Sequence, residues 1–134
     1  MSEWKAFLKE GGQYLKAAQG KEGKPSRLQN DVRYNLLALS FEKSVMSIVM
    51  FNNDLADNHT FTDLLHAVGK YVKIEPPLHD EVIALEEVQS ICNLYEYHRE
   101  LPSDSVVSRM QTVAKRLYEM AGEACGVDEL PVVA

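Results

Sequence analysis

The chain has 134 residues, of which 46% are hydrophobic and 25% are charged, a composition typical of one globular domain with a buried core. Its formal net charge of −6 at pH 7 argues against a protein that binds nucleic acid over its whole surface, because counterion release requires clustered Lys and Arg. The charge is uneven: residues 1–50 contain eight Lys and Arg and five Asp and Glu, a net charge of +3, whereas residues 51–134 carry −9.

Pro and Gly fall mainly between periodic segments and divide the chain into about five predicted helices. The first covers about 3–19, where apolar residues recur at spacings of three and four. Gly11 and Gly12 lie in its interior and cost about 1 kcal/mol each relative to Ala, and close packing against another helix would explain them. The segment 20–25 is typical of a loop, and the second predicted helix covers about 26–52.

The second predicted helix is apolar on two faces, which is typical of a helix that is central in its bundle or that also covers a partner subunit. We therefore expect one face to lie in the core and the other to form an interface. The core stripe consists of Tyr34, Leu37, Phe41, Val45, Ile48 and Phe51. The interface stripe consists of Leu36, Leu39, Met46 and Met50. We expect the polar residues of this helix at an exposed surface, and the lining of a cleft is the alternative. They are Tyr34, Ser40, Glu42, Lys43, Ser44 and Ser47.

The remaining helices are predicted from their end signals. Thr60 and Asp63 resemble a capping box, in which a hydroxyl residue is followed three residues later by a carboxylate, and they indicate the start of a third helix. This helix should end before the Pro76-Pro77 pair. A fourth predicted helix covers about 79–99.

A fifth helix is expected to be capped by Ser103 or Asp104 and to end at Gly126, which leaves residues 126–134 as a short tail. The β-branched residues follow a period near 3.6, with no convincing alternation of period two. The predicted fold is therefore all-α, an up-and-down bundle of about five helices in a single domain over residues 1–134.

Two further sequence features bear on the cellular compartment. Cys92 and Cys125 fit neither a disulfide framework nor a metal site, and both lie in apolar stripes, which is typical of reduced thiols. The first residues lack the layout of a secretory signal, and no apolar run approaches the roughly 20 residues of a membrane span. We therefore expect a cytoplasmic protein with no membrane association.

The histidine spacing argues against a metal site. His59 and His66 are seven residues apart, about two helical turns or roughly 10 Å, which is too far to share one ion. Asp63 and His66 make only half of a ligand pair, and the paired Glu-x-x-His motifs of a di-iron bundle do not occur. We therefore expect no metal and no other cofactor.

Nucleophilic and acid–base catalysis are also poorly supported. No Ser or Cys occupies a strand-turn-helix elbow, and no Gly-rich phosphate loop follows a strand. Glu86 and Glu87 are adjacent, so they point to different sides of a helix and do not form an acid–base pair. The sequence therefore favours a protein that is not an enzyme.

A basic stretch around the first loop is the best candidate for ligand binding. It lies near the expected start of the second helix and is opposed by only two acids. Its basic residues are Lys16, Lys21, Lys24, Arg27 and Arg33. Lys24, Arg27 and Arg33 are the expected phosphate ligands, and Tyr34 is the expected stacking residue. A role in solubility alone is the alternative interpretation of the same charges.

The order of residues in the second and third helices resembles a known family. The segment 34–47 includes Glu42-Lys43, and after a loop His59 is followed by Asp63-Leu64-Leu65. This arrangement resembles the HEPN (higher eukaryotes and prokaryotes nucleotide-binding) domain, in which a long second helix carries a Glu-Lys pair. The segment 95–102 is similar to the end of the family's fourth helix.

The resemblance implies an up-and-down helical bundle, commonly a homodimer, and often a nucleotidyltransferase-type partner protein in a toxin–antitoxin pair. Some members of the family are metal-independent ribonucleases with an Arg-x4-6-His motif. None of the five arginines here is followed by His at that spacing. The approximate match between Lys73 and His79 replaces the guanidinium by an ammonium group and contains the Pro76-Pro77 pair.

Three functional hypotheses follow from the sequence. The favoured one is a non-catalytic HEPN-like bundle that binds a nucleotide, another anionic ligand or a partner protein. The second is a homodimeric structural or interaction module with no small ligand. The third is a ribonuclease of atypical mechanism that uses His59 or His98. Extended nucleic acid is an unexpected partner under the first two hypotheses.

Overall fold

The computed structural model describes residues 3–19, 28–56, 59–94, 102–127 and 130, with side chains in the fourth helix described as far as Glu87. Over these ranges the regular secondary structure is entirely helical, which confirms the predicted all-α bundle of five helices. The helices are α1 (Glu3–Gln19), α2 (Asn30–Phe51), α3 (Phe61–Val68), α4 (Pro76–Leu94) and α5 (Asp104–Ala124).

Helix α2 is the centre of the bundle and packs against α1, α3 and α5, whereas α4 lies against α3 and α5. Its buried face includes Leu37, Phe41, Val45 and Ile48, all with no exposed side-chain area. These residues recur at spacings of three and four, as a helix buried along one face requires. The expected core stripe is therefore confirmed for these four positions, while Phe51 at its end is 40% exposed.

The contact between α1 and α2 explains the first of the two glycines inside α1. A Cβ atom on Gly11 would lie 2.9 Å from Ser44 Oγ and 3.4 Å from the Ser44 backbone nitrogen. Ser40 Oγ donates a hydrogen bond to the Gly11 carbonyl at 2.7 Å. The expected close helix packing is confirmed, and the expected exposure of Ser40, Ser44 and Ser47 is wrong, since all three are fully buried.

Two helices begin at positions that differ from the sequence prediction. Helix α2 begins at Asn30 rather than near 26, because Gln29 has extended backbone angles and acts as the N-cap. Helix α4 begins at Pro76 rather than near 79. Proline is favoured in the first turn of a helix because its missing N–H would have no partner there. The expected continuation of α4 over 95–99 lies outside the described residues.

The predicted caps of α3 and α5 are confirmed. Thr60 Oγ1 accepts a hydrogen bond from the Asp63 backbone N–H at 3.2 Å, and Ser103 Oγ accepts one from Val106 N–H at 3.2 Å. Helix α3 ends at Val68, well before the proline pair. None of the helices in the described ranges combines the length and apolar character needed to cross a bilayer.

The chain reverses direction directly after α5. Gly126 has a positive φ of 71°, and the N–H of Val127 donates to the Gly122 carbonyl at 2.9 Å. This is the Schellman arrangement, in which a glycine in the left-handed region ends a helix. It directs Val127 and Leu130 back onto the bundle, where both pack against the core. Part of the expected tail therefore belongs to the packed domain.

Candidate functional site

Of the three expected phosphate ligands at the start of α2, Arg33 alone lies within the described residues. Lys24 and Arg27 lie outside the described residues. Arg33 is half-buried, and its Nε donates to the Ala18 carbonyl at 3.1 Å while its second terminal nitrogen donates to Gln111 Oε1 at 3.4 Å. The guanidinium group thus joins the end of α1 to α2 and α5, which is a structural role.

Tyr34 does not present its ring to a ligand. The residue is 5% exposed, and its hydroxyl donates a hydrogen bond to the Leu85 carbonyl at 3.2 Å. This contact joins α2 to α4. The buried ring corrects the expected stacking role, because stacking on a bound base requires an accessible aromatic face.

The expected interface stripe divides into a covered part and an exposed part. Met46 is 6% exposed and belongs to the core, and Met50 is half-buried. Leu39 remains 36% exposed and Leu36 is half-buried. Val32, which is 42% exposed, lies on the same face one turn before Leu36. We call Val32, Leu36 and Leu39 the α2 strip, and Met46 is the buried member of the expected interface stripe.

A different site lies between α1, α5 and the residues that follow α5. It is a cavity of about 440 Å³, within the range of roughly 300–1,000 Å³ typical of small-molecule pockets. We call it the α1/α5 pocket. Its lining residues are Trp4, Lys5, Leu8, Lys9, Gly12, Gln13, Lys16, Tyr118, Val127 and Leu130.

Gly12 and Tyr118 form the inner wall of the pocket. A Cβ atom on Gly12 would lie 2.6 Å from the Tyr118 hydroxyl and 2.8 Å from Cζ of the ring, so this ring position requires glycine. Tyr118 is 3% exposed, and burial raises the pKa of its hydroxyl above 10.0. The hydroxyl therefore keeps its proton at neutral pH and is available as an uncharged hydrogen-bond donor.

The chain reversal after α5 completes the apolar end of the pocket. A Cβ atom on Gly122 would lie 2.5 Å from Leu130 Cδ1, so the Leu130 side chain rests directly on the α5 backbone. Val127 and Leu130 then face Trp4 and Leu8 of α1 across the cavity. Because this wall combines the two ends of the chain, periodicity within a single helix could not have revealed it.

Three lysines border the pocket along one face of α1. Lys5, Lys9 and Lys16 are spaced at i, i+4 and i+11, which places them in a line about 16 Å long at 1.5 Å per residue. We call them the lysine row. Within the described part of the chain none of them is paired with a carboxylate, since Glu10 of the same helix contacts Lys43 at 3.1 Å instead. Only Lys16 belonged to the basic stretch noted in the sequence.

The other polar clusters lie away from this pocket. His59 Nδ1 is 2.5 Å from Glu42 Oε1, and both side chains are partly exposed. His98, the second histidine of the ribonuclease hypothesis, lies outside the described residues. Among the described residues no group of three or more His, Cys, Asp or Glu side chains is arranged to hold a metal ion. The Glu42–His59 contact does not line the α1/α5 pocket.

Comparison of the chain with protein-family models, with characterised proteins and with solved structures gives no match. The resemblance to the HEPN domain therefore stays a prediction from the sequence.

Proposed function

We propose that the protein is a non-catalytic helical domain that binds an anionic ligand in the α1/α5 pocket. The lysine row beside an apolar cavity is the observation that carries this proposal. The proposed ligand is an anion, as expected from the sequence, but the proposed site lies on the exposed side of α1 instead of at the start of α2. The ligand of the HEPN-like hypothesis, a nucleotide or another anion, would meet the lysines of α1 instead of Arg33.

Charge and shape support this assignment together. The whole chain carries a net charge of −6, so a row of three cations that has no carboxylate partner among the described residues creates a local positive potential on a mainly acidic molecule. An apolar cavity beside the row excludes water from the uncharged part of a ligand. Exposed charges are screened by salt over about 8–10 Å, so binding should weaken as ionic strength rises.

The polar groups of the pocket suit binding better than catalysis. Apart from the three ammonium groups and the indole N–H of Trp4, the polar side chains in the described lining are Gln13 and Tyr118. An amide does not act as a general base, and the raised pKa of Tyr118 holds its proton in place at neutral pH. These donors fix and neutralise an anion.

Fluorescence gives a direct test, because Trp4 lines the pocket and is the single tryptophan of the chain. Anilinonaphthalene sulfonate, ATP and GTP are titrated in turn, with calorimetry alongside. We expect at least one of these anions to bind and to change the Trp4 emission. If none of these anions, and no alkyl carboxylate, binds the folded protein at millimolar concentration, the proposal is overturned.

Matched charge variants locate the site. Replacing Lys5, Lys9 and Lys16 together by Ala should weaken anion binding about tenfold, because three attractive charges are removed. The control replaces three exposed cations outside the described pocket lining, and it should leave the affinity within about twofold. The control residues are Lys70, Lys73 and Arg116. An equal loss of anion affinity in both triple variants would contradict the assignment of the site to the lysine row.

A second candidate function, a homodimeric interaction module, is favoured by the α2 strip. Val32 and Leu39 are more than one-third exposed on one helix face, and a two-fold contact would place this strip against its own copy. Light scattering should then give a dimer for the native chain and a monomer for Leu39→Glu, with Ala17→Glu as the exposed control. A native chain that is monomeric at millimolar concentration would contradict this candidate.

A further inference from the structure

We propose that the α1/α5 pocket is built for a medium-chain fatty carboxylate, with the alkyl chain among the apolar residues and the carboxylate at the lysines. This inference rests on the proposed function and narrows its ligand from any anion to one chemical class. It depends on three features of the pocket: its elongated form, the character of its aromatic wall and the separation of its apolar and polar ends.

The first feature is length. The residues of α1 that line the pocket extend from Trp4 to Lys16, which is about 18 Å along the helix at 1.5 Å per residue. A cavity of 440 Å³ distributed along this length is a groove parallel to the helix axis. An extended alkyl chain of about ten carbons is shorter than this span, so the groove can hold the whole chain and its head group.

The second feature is the state of the Trp4 ring. It packs edge-to-face with Phe51, with ring centroids 5.2 Å apart and an angle of 84° between the planes. Lys5 Nζ also lies over the Trp4 ring, 5.6 Å from its centroid. With two neighbours already placed around it, the ring is a poor platform for a stacked base and a good wall for an aliphatic chain.

The third feature is polarity along the groove. Arg33 contacts both the Ala18 carbonyl and Gln111, and Gly12 faces Tyr118, so the end of α1 lies near the beginning of α5. Helices α1 and α5 therefore run antiparallel. As a result, the residues after α5 return to the beginning of α1, and the aliphatic residues gather at that end of the groove.

The polar end lies one to two turns further along α1. Lys9, Gln13 and Lys16 are related by i, i+4 and i, i+3 spacing, so their side chains share one patch of the helix surface. Two ammonium groups and an amide N–H₂ group are donors that match a carboxylate, and the Tyr118 hydroxyl is a further donor on the opposite wall. Gln13 and Tyr118 are too few to satisfy the polar edge of a nucleobase as well.

The test compares three ligands with the same alkyl chain and different heads: decanoate, decanol and decyltrimethylammonium. They are titrated below their micelle concentrations into the full chain, with Trp4 emission and calorimetry as readouts. We expect decanoate to bind about tenfold more tightly than decanol and the cationic ligand to bind most weakly. Equal affinity for decanoate and decanol, or a higher affinity for the cationic ligand, would overturn the inference that the pocket recognises a carboxylate head group.

Two variants separate the head from the chain. Lys9→Ala combined with Lys16→Ala should abolish the preference for decanoate over decanol, because decanoate loses its charged partners and its affinity falls far more than that of decanol. Leu130→Gln should lower the affinities for decanoate and decanol by a similar factor, because the substitution changes only the apolar end of the groove. Thermal unfolding confirms that both variants fold. A double lysine variant that retains the full preference for decanoate would overturn the assigned head-group site.

The outcome also distinguishes this inference from the proposed function. If ATP, GTP or the aromatic sulfonate binds and no alkyl ligand does, the fatty carboxylate is overturned and the anion-binding function stands. If no anion binds, both are overturned. If decanoate binds with the stated preference and competes with the aromatic sulfonate, both are supported at one site.

Discussion

The two faces of α1 differ in how tightly they pack, although adjacent glycines lie on them. Gly11 meets the backbone and hydroxyl of Ser44 on α2, so the two helix backbones approach each other closely. Gly12 meets the ring of Tyr118 on α5, and a cavity of about 440 Å³ lies beside that contact. The comparison teaches that a glycine opposite a small residue lets two backbones approach, whereas a glycine opposite an aromatic residue makes room for the ring.

The α1–α2 contact, which we call the closed side of α1, is close because the facing residues of α2 are small and polar rather than large and apolar. Ser40 satisfies the Gly11 carbonyl, while Ser44 Oγ has no hydrogen-bond partner among the described residues. On the α1–α5 side, which we call the open side, the Tyr118 ring separates the two helices and the lysine row borders the cavity. The predictions below change one side at a time, beginning with the largest expected effect.

Gly11→Val should lower the free energy of unfolding by about 2–3 kcal/mol, because its side chain would press on the backbone of α2. Urea denaturation measures the change. Ala17→Val is the matched control, since Ala17 is exposed on the same helix and should cost only about 0.5 kcal/mol of helix propensity. Equal costs at the two positions would contradict the closed packing.

Gly12→Ala should cost about 1–2 kcal/mol in stability and also weaken anion binding. The added methyl group must displace the Tyr118 ring, whose nearest atoms lie 2.6–2.8 Å from the new Cβ position. Urea denaturation measures the change in stability, and calorimetry with the aromatic sulfonate measures the change in affinity for the anion. Gly11→Ala is the comparison: it strains the α2 side and should leave the affinity for the anion unchanged.

Ser40→Ala and Ser44→Ala should change stability in opposite directions, each by about 1 kcal/mol. The first removes the buried hydrogen bond from Ser40 Oγ to the Gly11 carbonyl. The second removes a buried hydroxyl that has no hydrogen-bond partner among the described residues. Thermal and urea unfolding of the pair provide the measurement, and a similar loss in both variants would show that Ser44 also has a partner.

Cys125 gives an effect that is absent at neutral pH and appears only in alkaline solution. Its thiol is buried at the end of α5 and contacts the Ser47 carbonyl at 3.7 Å, and burial raises its pKa from 9.0 to about 11. The folded state therefore holds this proton more tightly than the unfolded chain does. Its stabilising contribution is complete below pH 9 and is lost as the pH rises through about 11.

The measurement is the free energy of unfolding between pH 8 and 11 for the wild type and for Cys125→Ala. The wild type should lose more stability over this window than the variant, which lacks the titrating thiol. Parallel curves would show that the Cys125 thiol titrates at the same pH in the folded and the unfolded chain.

The sequence predicted the helices well because their signals are local. The bounds of α1, the hydroxyl caps at Thr60 and Ser103 and the glycine after α5 all depend on residues within one turn of each other. The start of α4 was misplaced because proline was taken as a boundary, whereas it occupies the first turn. The glycine pair was correctly attributed to packing, but its partners were unknown.

The candidate site was not predictable in the same way. Arg33 and Tyr34 looked like ligand-binding residues because charge and aromaticity were judged without knowing their neighbours, and tertiary contacts assign both to the framework. The serines of α2 looked like surface residues for the same reason. Lys5 and Lys9 had been counted only as charge, since nothing near them in the sequence indicates a cavity.

The sequence alone determined that this protein is a helical bundle, the bounds of α1, the caps of α3 and α5, and which stripe of α2 is buried. Only the tertiary structure decided that the glycine pair faces two different helices, and that the residues after α5 meet the start of α1 around a pocket bordered by lysines. The reason is physical: helix propensity and capping act within about four residues, whereas a cavity is formed by side chains more than one hundred positions apart.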